Sequence, residues 1–171
     1  MKMKTGLAAL VTALLLLPGI AQADELPMKA EAPITLTSPS AILCEASTGL
    51  VIFEKNADER RPVASVNKVM TILLTLEAVD EGRVSLEDQV TVSPRAASMG
   101  GSQAFLDAGE RYKLSELLKT VIVASANDSA VALAEHLAGT EESFVRLMNT
   151  RAEELGLTNT HYANCTGLPA Q

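Results

Sequence analysis

Cysteine and histidine are scarce: the 171 residues hold only Cys44, Cys165, His136 and His161. No Cys-x-x-Cys or His-rich tract occurs, so there is no ligand pattern for a structural zinc site, and neither a metal nor a cofactor is expected. Two widely separated cysteines do not make a disulfide framework, although one bridge is open to an exported chain. Cys44 lies in an apolar strand pattern and reads as a small core hydrophobe. Clusters of Lys and Arg are also missing, and the formal charge is −7. A phosphate-binding footprint is therefore absent and nucleic acid is excluded as a partner. There are no internal repeats. The one long apolar run, Leu7–Leu17, is too short to span a bilayer comfortably, and no membrane anchor is read in this chain.

What is present is ordinary for a globular domain, with 47% hydrophobic and 20% charged residues, enough to bury one core. Residues 1–23 form an export signal: Lys2 and Lys4 precede the apolar run, and Ala21-Gln22-Ala23 is a small-residue cleavage site. Losing those two lysines takes the charge from −7 to −9. Residues 24–39, interrupted by proline, read as a leader, and residues 40–171 as the domain. Function is expected outside the cytoplasm, in the cell wall or at the outer face of the cytoplasmic membrane.

Along that domain, Ala41–Glu45 and Leu50–Lys55 flank Ser47-Thr48-Gly49 as a hairpin. A strand-like piece falls in Val84–Val92, a helical fragment in Ser93–Gly101, and Phe105–Tyr112 reads as loop. Helices follow over Leu117–Ala124 and Ser129–Ala138, the latter closed by Gly139. Thr140 caps a last amphipathic helix whose apolar face is Phe144, Leu147, Met148, Ala152 and Leu155. Leu157–Gln171 reads as trailing loop. A two-stranded hairpin is marginal alone, so the pattern reads as incomplete at its C-terminal end.

The stretch from Ser65 to Val79 organises the rest. It is apolar on nearly every side, so it is expected to be the most buried element, with Ile72, Leu73 and Leu76 in the core. Its first turn places a hydroxyl and an amine three residues apart, so Ser65 and Lys68 share a face. Burial pushes a lysine toward its neutral, base-competent form. A capping serine followed by a snorkelling lysine would explain the pair without chemistry, so a second constellation has to decide. Ser125-Ala126-Asn127 supplies it, a polar knot between two apolar helices where the bland alternative is a helix cap.

The segments RRPVASVNKVMT, MGGSQAFLDAGE, VASANDSAVALAEHLAG and RAEELGLTNTHYANCTGL resemble the serine D-alanyl-D-alanine carboxypeptidases, the low-molecular-weight penicillin-binding proteins, from about Ala41 to Leu168. The resemblance implies an α+β fold, a helical cluster packed on an antiparallel sheet as in class A β-lactamases and transpeptidases. It also implies removal of the terminal D-alanine from peptidoglycan stem peptides and acylation by β-lactams. Carried onto this chain, it makes Ser65 the acylated nucleophile and Lys68 its base. Ser125 becomes a proton relay, and Asn127 the residue that holds the substrate amide and orients Lys68. Asn67 stands where the family often has threonine.

The family's Lys-Thr-Gly, which follows Ser-x-Asn on a sheet strand, has no counterpart after Ser125; Lys4-Thr5-Gly6 lies in the export signal. The 171 residues alone are therefore expected to be a poor enzyme. The rival readings are a non-catalytic exported module of the same fold and a serine β-lactamase. The β-lactamase would need a deacylating Glu-Asn loop, for which Glu154…Asn159 is a poor match.

Overall fold

The structure, a computed structural model, describes residues 35–169. The expected export signal and the leader up to residue 34 lie outside the described residues. The chain divides into two compact units, one up to Lys55 and one from Asn56.

In the first unit, β1 (Ala41–Cys44) pairs antiparallel with β2 (Val51–Lys55), with a register irregularity between Leu43 and Cys44. The turn between them is ordered by Glu45. Its carboxylate accepts the backbone N–H of Ser47 (3.0 Å) and Thr48 (2.7 Å) and both hydroxyls. Those bonds favour the charged form and hold its pKa down to about 2. Cys44, expected in the core, is exposed. Successive side chains of a strand point to opposite faces of the ribbon, so an apolar run there does not guarantee burial.

The second unit opens with a 3₁₀ turn, Ala64–Asn67, running into α1 (Lys68–Asp80). After it come β3 (Gln89–Thr91), α2 (Pro94–Ala97), β4 (Arg111–Lys113), α3 (Leu114–Ala124), α4 (Asn127–Ala138) and α5 (Glu141–Glu154). β3 and β4 form a second antiparallel pair in the register Gln89↔Lys113, Val90↔Tyr112, Thr91↔Arg111. β4 lies where the sequence reads as loop, because three residues with one half-buried tyrosine carry almost no period-two signal. Thr140 caps α5 as expected, accepting from the Ser143 N–H. Phe144, Met148 and Ala152 are buried, but Leu147 and Leu155 are 44% exposed.

The centre of the unit is α4. Ala130 through Ala134 are fully buried, with α3, α5, α2, α1 and β3 around them. This corrects the expectation for the Ser65 helix. α1 buries Lys68, Met70, Thr71, Thr75 and Ala78, leaves Ile72 and Leu73 half-buried, and exposes Val69 (64%) and Leu76 (46%). A helix surrounded on every side needs small side chains so that neighbours can close to packing distance. The alanines of α4 allow that, and the branched residues of α1 do not.

Two electrostatic ties hold the periphery. Arg151 of α5 reaches Glu77 of α1 through Nη2 (2.8 Å) and Nε (3.1 Å). Asn149 exchanges bonds with the Tyr162 backbone, donating to its carbonyl (2.9 Å) and accepting from its N–H (2.9 Å), which returns the segment after α5 to the body. Among the described residues no helix is long and apolar enough to cross a membrane.

Truncating Leu133, fully buried in α4, is expected to cost about 2–5 kcal/mol. Leu76→Ala on the outer face of α1 is expected to cost under about 1 kcal/mol. Denaturant unfolding of both variants measures the order, and the reverse order would return α1 to the centre.

Candidate active site

Ser65 and Lys68 occupy the first and last positions of one tight turn. In 3₁₀ geometry residues i and i+3 are nearly eclipsed, so the turn aims both side chains the same way. Lys68 Nζ donates to Ser65 Oγ at 3.1 Å. Ser65 is exposed while Lys68 is 2% exposed, so the hydroxyl faces solvent and the amine stands behind it.

Ser125 arrives from the other direction. It ends α3 in the left-handed conformation, φ 55° and ψ 36°, and that reversal separates α3 from α4 by only Ser125 and Ala126. Its Oγ lies 3.3 Å from Lys68 Nζ, so one amine bridges two hydroxyls from distant parts of the chain. Ala64, just before the nucleophile turn, also has positive φ (47°). Left-handed backbone at residues with a Cβ costs about 1–3 kcal/mol each and collects where geometry serves a function.

The third partner of Lys68 is one that reading the sequence missed. The Thr166 carbonyl accepts from Nζ at 2.8 Å, the shortest of the three bonds. It belongs to the segment expected to trail away, which instead folds back so that Cys165 and Thr166 are buried. The signal was Gly167. Its φ is +82°, and a Cβ there would stand 1.9 Å from the Ala64 carbonyl oxygen, so only glycine lets the segment pass the 3₁₀ turn that carries Ser65.

Among the described residues no carboxylate pairs with Lys68. Burial lowers its pKa below the ordinary lysine value. The Cys165 thiol is pushed far up by burial and by Glu141, so it stays neutral.

Asn127 is the first residue of α4, not part of a loop, and is 2% exposed. Its Nδ2 donates to the Gly100 carbonyl (2.7 Å) and its backbone N–H to the Ser102 carbonyl (2.7 Å). Among the described residues Oδ1 has no partner, so the bond orienting Lys68 that the resemblance implies is not seen. Asp128 beside it accepts from the N–H groups of Ala104 (3.0 Å) and Leu106 (3.2 Å). The start of α4 thus pins residues 100–106, while Asp128 Oδ1 also accepts from the Ser129 N–H of its own first turn (2.8 Å). The arrangement suits acyl transfer, with an exposed hydroxyl, a buried amine to take its proton and a second hydroxyl to pass it on.

Gly167→Ala is expected to lower the melting temperature by several degrees and to disturb the Lys68 environment, because either the segment or the turn must move. A thermal melt checks the first, and an unchanged melting temperature would mean that the close approach to Ala64 is not enforced.

Comparison with known proteins shows the family of the chain. The family description of D-alanyl-D-alanine carboxypeptidase, peptidase S11, matches residues 27–171. The chain is 51% identical over 129 residues to the D-alanyl-D-alanine carboxypeptidase DacF of Bacillus subtilis, covering 75% of this chain and 33% of that protein. It is 40% identical to DacC of Escherichia coli over 147 residues, 80% of this chain and 37% of the relative. Among solved structures, the carboxypeptidase DacD of Francisella tularensis superposes with a TM-score of 0.80 at 37% identity, covering 84% of this chain and 35% of that one. A Streptomyces K15 DD-transpeptidase variant gives 0.74 at 28% identity, covering 81% and 56%. The chain spans about a third of the length of the curated relatives it matches. With its α+β fold shared with these structures and its sequence matched over most of its length, the chain belongs to the D-alanyl-D-alanine carboxypeptidase family.

Proposed function

We propose that this chain carries the nucleophile part of an exported serine D-Ala-D-Ala carboxypeptidase, acting on peptidoglycan stem peptides and acylated by β-lactams. The observation that supports it is the position of Lys68 Nζ between Ser65 Oγ (3.1 Å) and Ser125 Oγ (3.3 Å), with no acid paired to it among the described residues. Residues 1–23 would direct export and residues 40–171 would form the domain.

In this reading neutral Lys68 removes the Ser65 proton as Oγ attacks the carbonyl carbon of the penultimate D-alanine. Collapse of the tetrahedral intermediate breaks the peptide C–N bond. The proton returns from Lys68 through Ser125 to the departing D-alanine amine, leaving an ester on Ser65. Water then attacks the ester carbonyl as Lys68 takes its proton; the C–Oγ bond breaks, Lys68 returns the proton to Ser65 Oγ, and the shortened peptide leaves as its carboxylic acid. A β-lactam enters by the same attack, its ring C–N bond opening in place of the peptide bond. The Ser65 N–H supplies one oxyanion donor. Asn127 contacts the substrate amide through Oδ1, the acceptor it has not spent on the chain; reaching it requires residues 100–102 to yield.

Fluorescent penicillin followed by gel electrophoresis tests the reading. Ser65→Ala is expected to abolish covalent labelling, and Lys68→Ala to slow it by about 10²–10⁴. Labelling at the wild-type rate in Ser65→Ala would refute the assignment. Because the lysine pKa is lowered, its neutral fraction, and with it the labelling rate, should rise with pH along a limb lying below the ordinary lysine range. Joined to a segment that carries a Lys-Thr-Gly strand, the chain is expected to label about 10²–10³ faster, the value of one oxyanion donor.

A further inference from the structure

Three consecutive carbonyls of the returning segment are each held by a side chain of the nucleophile turn or the first turn of α1. Asn67 Nδ2 donates to the Asn164 carbonyl (2.9 Å), Thr71 Oγ1 to the Cys165 carbonyl (2.8 Å) and Lys68 Nζ to the Thr166 carbonyl (2.8 Å). The segment has neither strand nor helix to fix those carbonyls, so something local must. Asn164 does so. Its Oδ1 accepts from the N–H groups of Thr166 (3.1 Å) and Gly167 (2.7 Å) and from Thr166 Oγ1 (3.2 Å), while its Nδ2 donates to the Leu168 carbonyl (2.7 Å). A side-chain amide closing on backbone groups two and three residues ahead is a rigid local turn.

We propose that Asn67 and Asn164 are positioning residues, a pair of side-chain amides that clamps the Thr166 carbonyl onto Lys68 Nζ and seals the buried side of the amine from water. The proposal rests on the reading of Lys68 as the base and adds to it what keeps the base in register. Asn67 immediately precedes Lys68, and its amide ties the lysine's own turn to the segment that supplies the carbonyl. Gly167 permits the approach, since any Cβ would strike the Ala64 carbonyl.

The other groups facing Lys68 are few. Its own turn contributes the Ser65 hydroxyl, the junction of α3 and α4 contributes Ser125, and the returning segment contributes the Cys165 thiol beside the Thr166 carbonyl. Glu141 at the start of α5 lies one contact further out, 3.4 Å from Cys165 Sγ. Asp128 on α4 is committed to the Ala104 and Leu106 N–H groups. A loosened clamp therefore admits water and brings in no new charge. Relief of desolvation is the dominant effect, and it moves the lysine titration upward.

The test is an NMR titration of the full chain labelled with ¹³C at lysine Cε, the Lys68 signal being assigned by its loss in Lys68→Arg. Asn164→Ala removes the turn and Asn67→Thr removes the tie. Asn164→Ser keeps a hydroxyl acceptor able to close a weaker turn of the same kind. The Lys68 titration is expected to move to higher pH in Asn164→Ala and Asn67→Thr, and to return toward wild type in Asn164→Ser. Penicillin labelling at neutral pH should fall by about tenfold in the first two and recover as the pH is raised, the pattern of a base that has become harder to deprotonate. Circular dichroism establishes that each variant folds, and if Asn164→Ala does not, Asn67→Thr decides. An unmoved Lys68 titration in folded Asn67→Thr overturns the clamp. Absence of Ser65 labelling in the wild-type chain would instead count against the base assignment, which the titration does not depend on.

Discussion

A buried lysine amine, with no carboxylate paired to it among the described residues, is the constraint on which the rest of this structure depends. Lys68 is 2% exposed, and all three of its partners are neutral oxygens, two hydroxyls and a backbone carbonyl. Burying an unpaired ammonium is costly, and the usual resolution is loss of the proton. Burial accordingly lowers the Lys68 pKa, and the amine lies 3.1 Å from the Ser65 hydroxyl whose proton it would take in the proposed reaction. A salt bridge at the same position would have stabilised the ammonium and removed the base. Among the described residues no acid pairs with Lys68, which is what the proposed base role requires.

Holding such a group calls for rigid surroundings on several sides, and the fold supplies them from four separate segments. The 3₁₀ turn fixes Ser65 relative to Lys68. The left-handed Ser125 ends α3 abruptly enough to bring its hydroxyl to the amine. The small side chains of α4 let it sit at the centre, so that Asn127 and Asp128 at its start hold residues 100–106 by their backbone. The segment after α5 closes the remaining side, passing the nucleophile turn at a glycine. Strain at Ala64 and Ser125 is sustained because the bonds on either side over-determine the backbone there.

Much of this was legible in the sequence. Ser65-x-x-Lys68 and Ser125-x-Asn127 mark the site because hydroxyl, amine and amide are conspicuous between apolar helices, and the elements follow from capping residues and glycine stops such as Thr140 and Gly139. Three features were not legible, each for a physical reason. The prominence of α4 was hidden because alanine carries little hydrophobic signal, whereas the branched residues of α1 carry much of it on a face left exposed at Val69 and Leu76. The Thr166 contact was hidden because a backbone carbonyl has no residue type to recognise. The bond partners of Asn127 were hidden because motif spacing places a residue without saying which groups its amide will meet, and here they are Gly100 and Ser102 rather than Lys68.

The most direct measurement is the acylation of Lys68→Arg by a β-lactam, read by intact mass and by mapping the modified peptide. Arginine keeps the length and the positive charge but cannot lose its proton in a protein. A neutral lysine acting as base predicts that the wild-type chain gains one adduct on the peptide bearing Ser65 and that the folded arginine variant gains none. An adduct on Ser65 in Lys68→Arg at the wild-type rate would show that the amine serves only as a positive charge, and would contradict the deprotonated lysine on which this description of the site is built.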